Sequence, residues 1–297
     1  MDIKNSCLWT ALVTPFKEDG SIDYESLKRL INTQIAARNG ILVLGSTGEA
    51  FSLQDSEKKE LLTFICGLKL NIPLMVGLPN INLFQSLEWL EFCNPLPIDA
   101  HFVATPTYTK PGVKGQIQWF SQLMEASGKP MMLYNVPSRT GVELFPEVIR
   151  ELESHKNFWA LKDSSGSVPK TAEYLNTSNK LSVYSDEDGY MPCLAPLGIK
   201  GLVSVLANAW PIECRRYVEQ CLSSTFTPTT AWWNAHKEMF TATNPIPIKA
   251  LLQELGIISC KTTRIPLVAD ELNSAENLIK AHLAIQEWAR QEAFVVS

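Results

Sequence analysis

Eight times within its first three quarters the chain passes from a short apolar run to a longer stretch with helical spacing, always in that order. "LWTALVTPF" leads to "YESLKRLINTQIAARNG", "ILVLGS" to "DSEKKELLTFICGLKL", and "IPLMVGL" to "NLFQSLEWLEFC". "DAHFVATP" leads to "QIQWFSQLMEASG" and "PMMLYNVP" to "FPEVIRELESH". "NFWALKDS", "KLSVYSDED" and "GLVSVLAN" open the last three pairs. Near-continuous apolar strands joined by helical crossovers imply a parallel sheet covered by helices. Eight such units in 297 residues predict a closed (β/α)8 TIM barrel of the α/β class. An open doubly wound sheet would place G-x-G-x-x-G after the first strand, and "TPFKEDG" is not that.

Local signals set expected boundaries. Leu27, Leu30, Ile31, Ile35 and Ala36 share one helical face, which Gly40 is expected to end, and Asp55 is the expected N-cap of the next helix. From about Thr225 the strands cease, and "TFTPTTAWWNAHKEMF", "PIPIKALLQELG" and "ADELNSAENLIKAHLAIQEWARQ" read as helices. The expected organisation is a catalytic barrel over 1–224 and a helical extension over 225–297 packed on it. Trp232 and Trp233 are read as helix packing within that extension.

A net charge of −5 gives no basic field for nucleic acid or an anionic membrane. No apolar run approaches the ~20 residues of a membrane helix, and "KNSCLWTALV" lacks a signal-peptide design. The seven cysteines are scattered, with no C-x-x-C pair, so neither metal nor cofactor is expected and a reducing cytoplasmic setting is. The four histidines lie far apart and receive no role.

In such barrels chemistry gathers at the C-terminal ends of the strands. Those ends carry Ser46 and Thr47, Tyr108, Tyr134 and Arg139, Lys162 and Asp163, "DED" at 186–188, and Ser204. Lys162 follows four apolar residues in "FWALKDSSG", where its strand is still partly inside the barrel. The plain alternative is a lysine that snorkels to solvent or pairs with Asp163. In an apolar barrel mouth, lost solvation is expected to lower its pKa from about 10.4, leaving an amine that attacks a ketone. Such chemistry moves protons, and Tyr134 on the neighbouring strand is the expected carrier. The planar fork of Arg139 suits a carboxylate, unless Glu143 or Glu147 occupies it.

"ALVTPF", "GSTGE", "TPTYTKP", "YNVPSRTG", "LKDSSG", "GLVSV" and "NPIPIK" span nearly the whole chain. With these motifs it resembles the pyruvate-dependent class I aldolases of the dihydrodipicolinate synthase and N-acetylneuraminate lyase superfamily. "YNVPSRTG" resembles the synthase branch most, because the lyases usually differ at the arginine. The resemblance implies condensation of pyruvate with L-aspartate 4-semialdehyde, on the route to lysine and diaminopimelate, by a homo-oligomer (a tetramer or dimer). It implies a pyruvate Schiff base on Lys162, a proton shuttle at Tyr134, and a hydroxyl triad completed by Ser46 and Tyr108. Tyr108 would serve partly the partner subunit's site. Thr47 would hold the pyruvate carboxylate, Arg139 would bind the carboxylate of the aldehyde, and Val203 would line the pyruvate pocket. A sugar-acid aldolase of the same superfamily, or a barrel that binds without catalysing, are the rival readings. A sugar-acid aldolase would need no Arg139.

The chain departs from the family pattern at several places. Ser46 stands where threonine is usual, Thr107 and Thr109 replace tyrosine and asparagine, and "GLPNIN" replaces G-T-G-A-N in a dimer-interface loop. Asp186 falls where the family has a glycine, which adds a carboxylate beside an anionic substrate unless it is turned away. At the positions that bind feedback lysine in regulated members, Ala50, Phe51, Asp55, Lys58, Ile81, Gln85 and Thr107 offer few polar ligands. Weak or absent inhibition by L-lysine is therefore expected in steady-state assays, and a micromolar inhibition constant would contradict it.

Overall fold

The computed structural model describes residues 3–295. Eight strands, β1 (Leu8–Ala11), β2 (Gly40–Val43), β3 (Leu74–Gly77), β4 (Ala100–Ala104), β5 (Met131–Asn135), β6 (Phe158–Asp163), β7 (Ser182–Ser185) and β8 (Gly201–Ser204), follow the expected order. They close into a barrel in which each strand runs parallel to its neighbours and β1 pairs with both β2 and β8. The predicted (β/α)8 architecture is therefore the observed one.

Alternation along the strands sorts side chains into two apolar layers. Outward residues such as Leu8, Ile41, Leu133 and Leu161 pack under the helices. Inward residues, among them Trp9, Met75, Phe102, Met132, Trp159 and Tyr184, fill the barrel. Trp159 anchors that filling, meeting Trp9 edge-on at 5.9 Å and Tyr184 at 6.2 Å between ring centroids.

Two expected boundaries shift. The first helix, Tyr24–Ala37, ends at Arg38, which adopts the left-handed conformation at φ 58° and donates its N–H to the Gln34 and Ile35 carbonyls. Gly40 instead opens β2, and it must be glycine there because a Cβ would fall 2.6 Å from the Trp9 ring. The next helix is capped by Gln54 in a reciprocal box with Glu57, not by Asp55. Asp55 sits inside the first turn and pairs with Lys58 at 2.9 Å. The seventh crossover is broken into short turns, Asp188–Tyr190, Met191–Leu194 and Ala195–Leu197, where Pro192 and Pro196 remove helix donors.

Beyond the last barrel helix (Pro211–Leu222) run Thr230–Met239, Ile246–Glu254 and Glu276–Val295. Trp232 is buried and stacks on Tyr217 at 4.3 Å, as a packing residue should. Trp233 is 45% exposed and stacks on Tyr190 at 5.7 Å. Polar contacts also tie these helices to the barrel. Lys249 is fully buried, ion-paired with Glu49 after β2, and its Nζ donates to the Thr262 carbonyl at 3.0 Å. The second Glu49 oxygen accepts the Arg264 N–H at 2.8 Å, and the Arg264 guanidinium holds Glu57. Among the described residues no helix is long and apolar enough to cross a membrane.

Removing one member of a buried ion pair strands the other charge in a medium that solvates it poorly. Lys249→Ala should therefore lower unfolding free energy by about 3–5 kcal/mol. Urea denaturation should show one shifted transition for barrel and extension together. An unchanged midpoint, or separate melting of 225–297, would contradict this role.

Candidate active site

β5 and β6 pair in register with Tyr134 opposite Lys162 and Asn135 opposite Asp163. Side chains alternate between faces, so one pair points into the barrel and the other out. Tyr134 lies in the inner layer, its ring 4.7 Å from Phe102. Lys162 is 4% exposed, its Nζ 4.6 Å from the Tyr134 ring centroid and 5.6 Å from that of Phe102.

The outward pair works as a clamp. Asp163 accepts from Asn135 Nδ2 at 2.8 Å, Ser165 Oγ at 2.9 Å and Thr171 Oγ1 at 2.7 Å. Asn135 Oδ1 accepts the Leu144 N–H at 2.9 Å. Asp163 thus fixes the β5 and β6 ends and does not pair with Lys162, which disposes of the plain alternative for that lysine.

The partner of Lys162 is Asp186, just after β7. Its Oδ1 forms the ion pair with Nζ, and its Oδ2 accepts from Ser164 Oγ at 2.6 Å. The Tyr134 hydroxyl stands 3.5 Å from the same Oδ2. Asp186 therefore faces the site, and it reverses the expected titration of the lysine. Burial alone pulls the Lys162 pKa down, but the Asp186 carboxylate, helped by Tyr134 and Asp188, more than offsets it and holds the ammonium above its ordinary range. Burial, followed by the Asp186 charge, pushes the Tyr134 phenol up to about 12, so it is protonated at rest and placed to donate.

Around this core lies a cleft lined by Ser46, Thr47, Ser138, Arg139, Asp186 and His236, with about 290 Å³ of open volume. Thr47 is buried and its Oγ1 accepts from Asn244 Nδ2 at 2.9 Å. Arg139 rides on the single helical turn Pro137–Thr140, which Gly141 closes at φ 74°. It is exposed and pairs with neither Glu143 nor Glu147 within 4 Å, and Glu143 is engaged instead by Lys170 at 3.1 Å. Its guanidinium is thus unneutralised at the mouth.

Two expected site residues do not border this cleft within the single chain. Tyr108 is 89% exposed, with φ 69°, and does not line the cleft that holds Lys162. Val203 is fully buried in the inner layer, and Val205 borders the cleft instead. Ser204 is also buried and donates to Asp188, whose carboxyl burial pushes up to about 7.

The extension supplies what the sequence reading missed. His236, Phe240 and Asn244 all border the cleft, and His236 Nε2 lies 3.4 Å from Glu187 Oε2. Burial lowers the His236 pKa and pushes Glu187 up to about 7. Nothing in their local sequence marks them, since each lies more than ~30 residues from any barrel strand and only tertiary packing brings it to the rim. Among the described residues no group of three His, Cys, Asp or Glu side chains could hold a metal ion.

The geometry is a buried amine between a carboxylate and a phenol, with a free guanidinium at the cleft mouth. Proteins with similar sequences bear names in keeping with it. A 4-hydroxy-tetrahydrodipicolinate synthase from Wolbachia pipientis subsp. Culex pipiens is 48% identical over 287 residues, covering 96% of this chain and 98% of that relative. One from Francisella tularensis subsp. novicida is 44% identical, covering 97% and 98% respectively. Among solved structures, a dihydrodipicolinate synthase from Acinetobacter baumannii complexed with pyruvate superposes with a TM-score of 0.89. It is 30% identical and covers 95% of this chain and 99% of its own. The model of the dihydrodipicolinate synthetase family matches residues 4–285, and the chain belongs to that family.

Proposed function

We propose that the chain is a lyase that condenses pyruvate with L-aspartate 4-semialdehyde to give 4-hydroxy-tetrahydrodipicolinate, in lysine and diaminopimelate biosynthesis. The single observation that carries the reading is the Lys162 amino group, buried beside the Tyr134 phenol at the C-terminal end of the barrel. Lys162 attacks C2 of pyruvate, water leaves, and a protonated imine remains. That cation draws electrons from C3, which loses a proton to water in the open cleft and becomes the carbon nucleophile that attacks the aldehyde.

Tyr134, protonated and beside Lys162, donates a proton to the oxyanion that forms on the aldehyde as the carbon–carbon bond closes. Thr47 and Ser46, at the start of the loop after β2, hold the pyruvate carboxylate with their hydroxyls and backbone N–H groups. Arg139 receives the carboxylate of the semialdehyde, a role its unpaired fork suits. No further cofactor enters this scheme. The helices of 225–297 belong to the same working unit, since Asn244 positions Thr47.

A second copy of the chain is the expected partner. Phe51, Ile81, Phe84 and Tyr108 are large apolar side chains left 68%, 53%, 75% and 89% exposed in the single chain. Phe51 and Ile81 border an apolar cavity of about 320 Å³ that also reaches Arg139 and Tyr134, so a partner seated there abuts the site.

Borohydride reduction in the presence of pyruvate should fix the ligand on the peptide bearing Lys162 and leave Lys162→Ala unmodified. Arg139→Ala should still be trapped by pyruvate, yet lose about 10²-fold in kcat/KM for the aldehyde, the scale of a lost charge-assisted contact. An unmodified Lys162 in the wild type, or full activity in Arg139→Ala, would overturn the respective assignment. Sedimentation velocity should give a species larger than a monomer, and Phe84→Glu should reduce its size. A monomer in both proteins would exclude the partner.

A further inference from the structure

Lys162 cannot act while it carries its proton, and the structure gives that proton one direct acceptor. Tyr134 is held protonated by its own burial and by Asp186. Glu187 is engaged by His236 at 3.4 Å. Asp188 is buried against Ser204 and the Val205 N–H. Asp163 is saturated by Asn135, Ser165 and Thr171 on the outer face. From the β1 and β2 side Lys162 shares a small cleft with Ala11, Leu42, Ser46 and Thr47, none of which titrates near neutrality. β8 contributes only the apolar Val203 to the inner layer. Among the described residues Asp186 Oδ1 is the acceptor paired with Nζ, and the Ser164 hydroxyl on Oδ2 holds the carboxylate in that orientation.

We propose that Asp186 is a catalytic residue of this enzyme, the base that takes the proton from Lys162 and returns it to the departing water as the imine forms. The inference rests on the Schiff-base reading of Lys162 given above. In the first step the Nζ–H bond breaks and an Oδ1–H bond forms, turning ammonium and carboxylate into amine and carboxylic acid. The Nζ lone pair then bonds C2 of pyruvate while the carbonyl π pair moves onto oxygen, which takes the proton from Asp186. Asp186 next accepts the second proton now carried by nitrogen. It hands that proton to the hydroxyl, which leaves as water while the nitrogen pair closes the C=N bond. Charge balances throughout: ammonium plus ketone become iminium plus water, and Asp186 is ionised at both ends. The same carboxylate then faces the iminium, as it had faced the ammonium.

The pairing also answers the objection that a carboxylate beside an anionic substrate repels it. Lys162 and Asp186 are together neutral in the resting site, and they remain neutral after the first proton transfer. An incoming keto acid anion therefore meets no net negative charge from this pair.

Single-turnover imine formation with pyruvate, stopped by borohydride and read by mass, tests the role in Asp186→Asn and Asp186→Gly. Both variants should form the adduct about 10²-fold more slowly, the ordinary worth of one positioned acid–base group. Their pH profiles should rise at lower pH than that of the wild type, because Lys162 keeps its burial and loses the anion holding its proton. Added formate should restore part of the rate to Asp186→Gly, where it can occupy the vacated space, and none to Asp186→Asn. Wild-type rates and pH profile in both variants would overturn the assignment to Asp186. Slow variants with an unshifted profile and no rescue would overturn it in favour of a merely structural carboxylate. Absence of any adduct in the wild type would overturn imine chemistry itself, and Asp186's role with it.

Discussion

The register between β5 and β6 is the constraint on which the site depends. With Tyr134 opposite Lys162, strand alternation puts both inside the barrel and sends Asn135 and Asp163 to the outer face. A slip of one residue would exchange the two sets, placing an amide and a carboxylate in the inner layer and stranding the amine under a helix. The outer pair guards against this slip. Asp163 accepts hydrogen bonds from β5, from the loop after β6 and from the next helix, so the register that presents the catalytic pair is the one that satisfies the buried carboxylate.

Much of this was legible in the sequence, because parallel barrel strands buried on both faces leave dense apolar runs. All eight were located, and Lys162 and Tyr134 were placed on neighbouring strands from chain order alone. Helix ends were read less well. Gly40 was taken as a stop signal when its smallness serves the Trp9 ring, a contact no local pattern reveals. The titration of Lys162 was inferred with the wrong sign for a related reason. Desolvation can be argued from apolar neighbours in the chain, whereas the opposing charge lies 24 residues away, just after β7, and its direction depends on the loop conformation. His236, Phe240 and Asn244 were missed because the extension was read as packing alone.

Two buried lysines show how one kind of pair serves different ends. Lys249 and Glu49 are both sealed from solvent, their remaining capacity met by the Thr262 carbonyl and the Arg264 N–H. Nothing can enter between them, and burial pulls the Lys249 pKa down to about 8 despite the glutamate. Lys162 and Asp186 form an equally close contact, but the aspartate side chain is 18% exposed and borders an open cleft. The first pair fastens the extension to the barrel; the second leaves one side of the amine approachable by a ligand.

That difference bears on how reactivity is obtained from a buried amine. Desolvation without a counter-ion would keep Lys162 neutral and nucleophilic at rest, but would leave the later iminium as an unpaired charge in an apolar mouth. A carboxylate in contact reverses the balance: the resting amine is protonated and must first surrender its proton, while the cation formed afterwards is paired. On the proposed imine chemistry, Asp186 would trade readiness in the first step for stabilisation in those that follow. The phenol of Tyr134, too weak an acid to compete for that charge, remains available on the other side as a donor. The proposed division of labour follows from position, since one strand end presents a phenol protonated at rest and the loop after β7 presents a carboxylate that can take a proton.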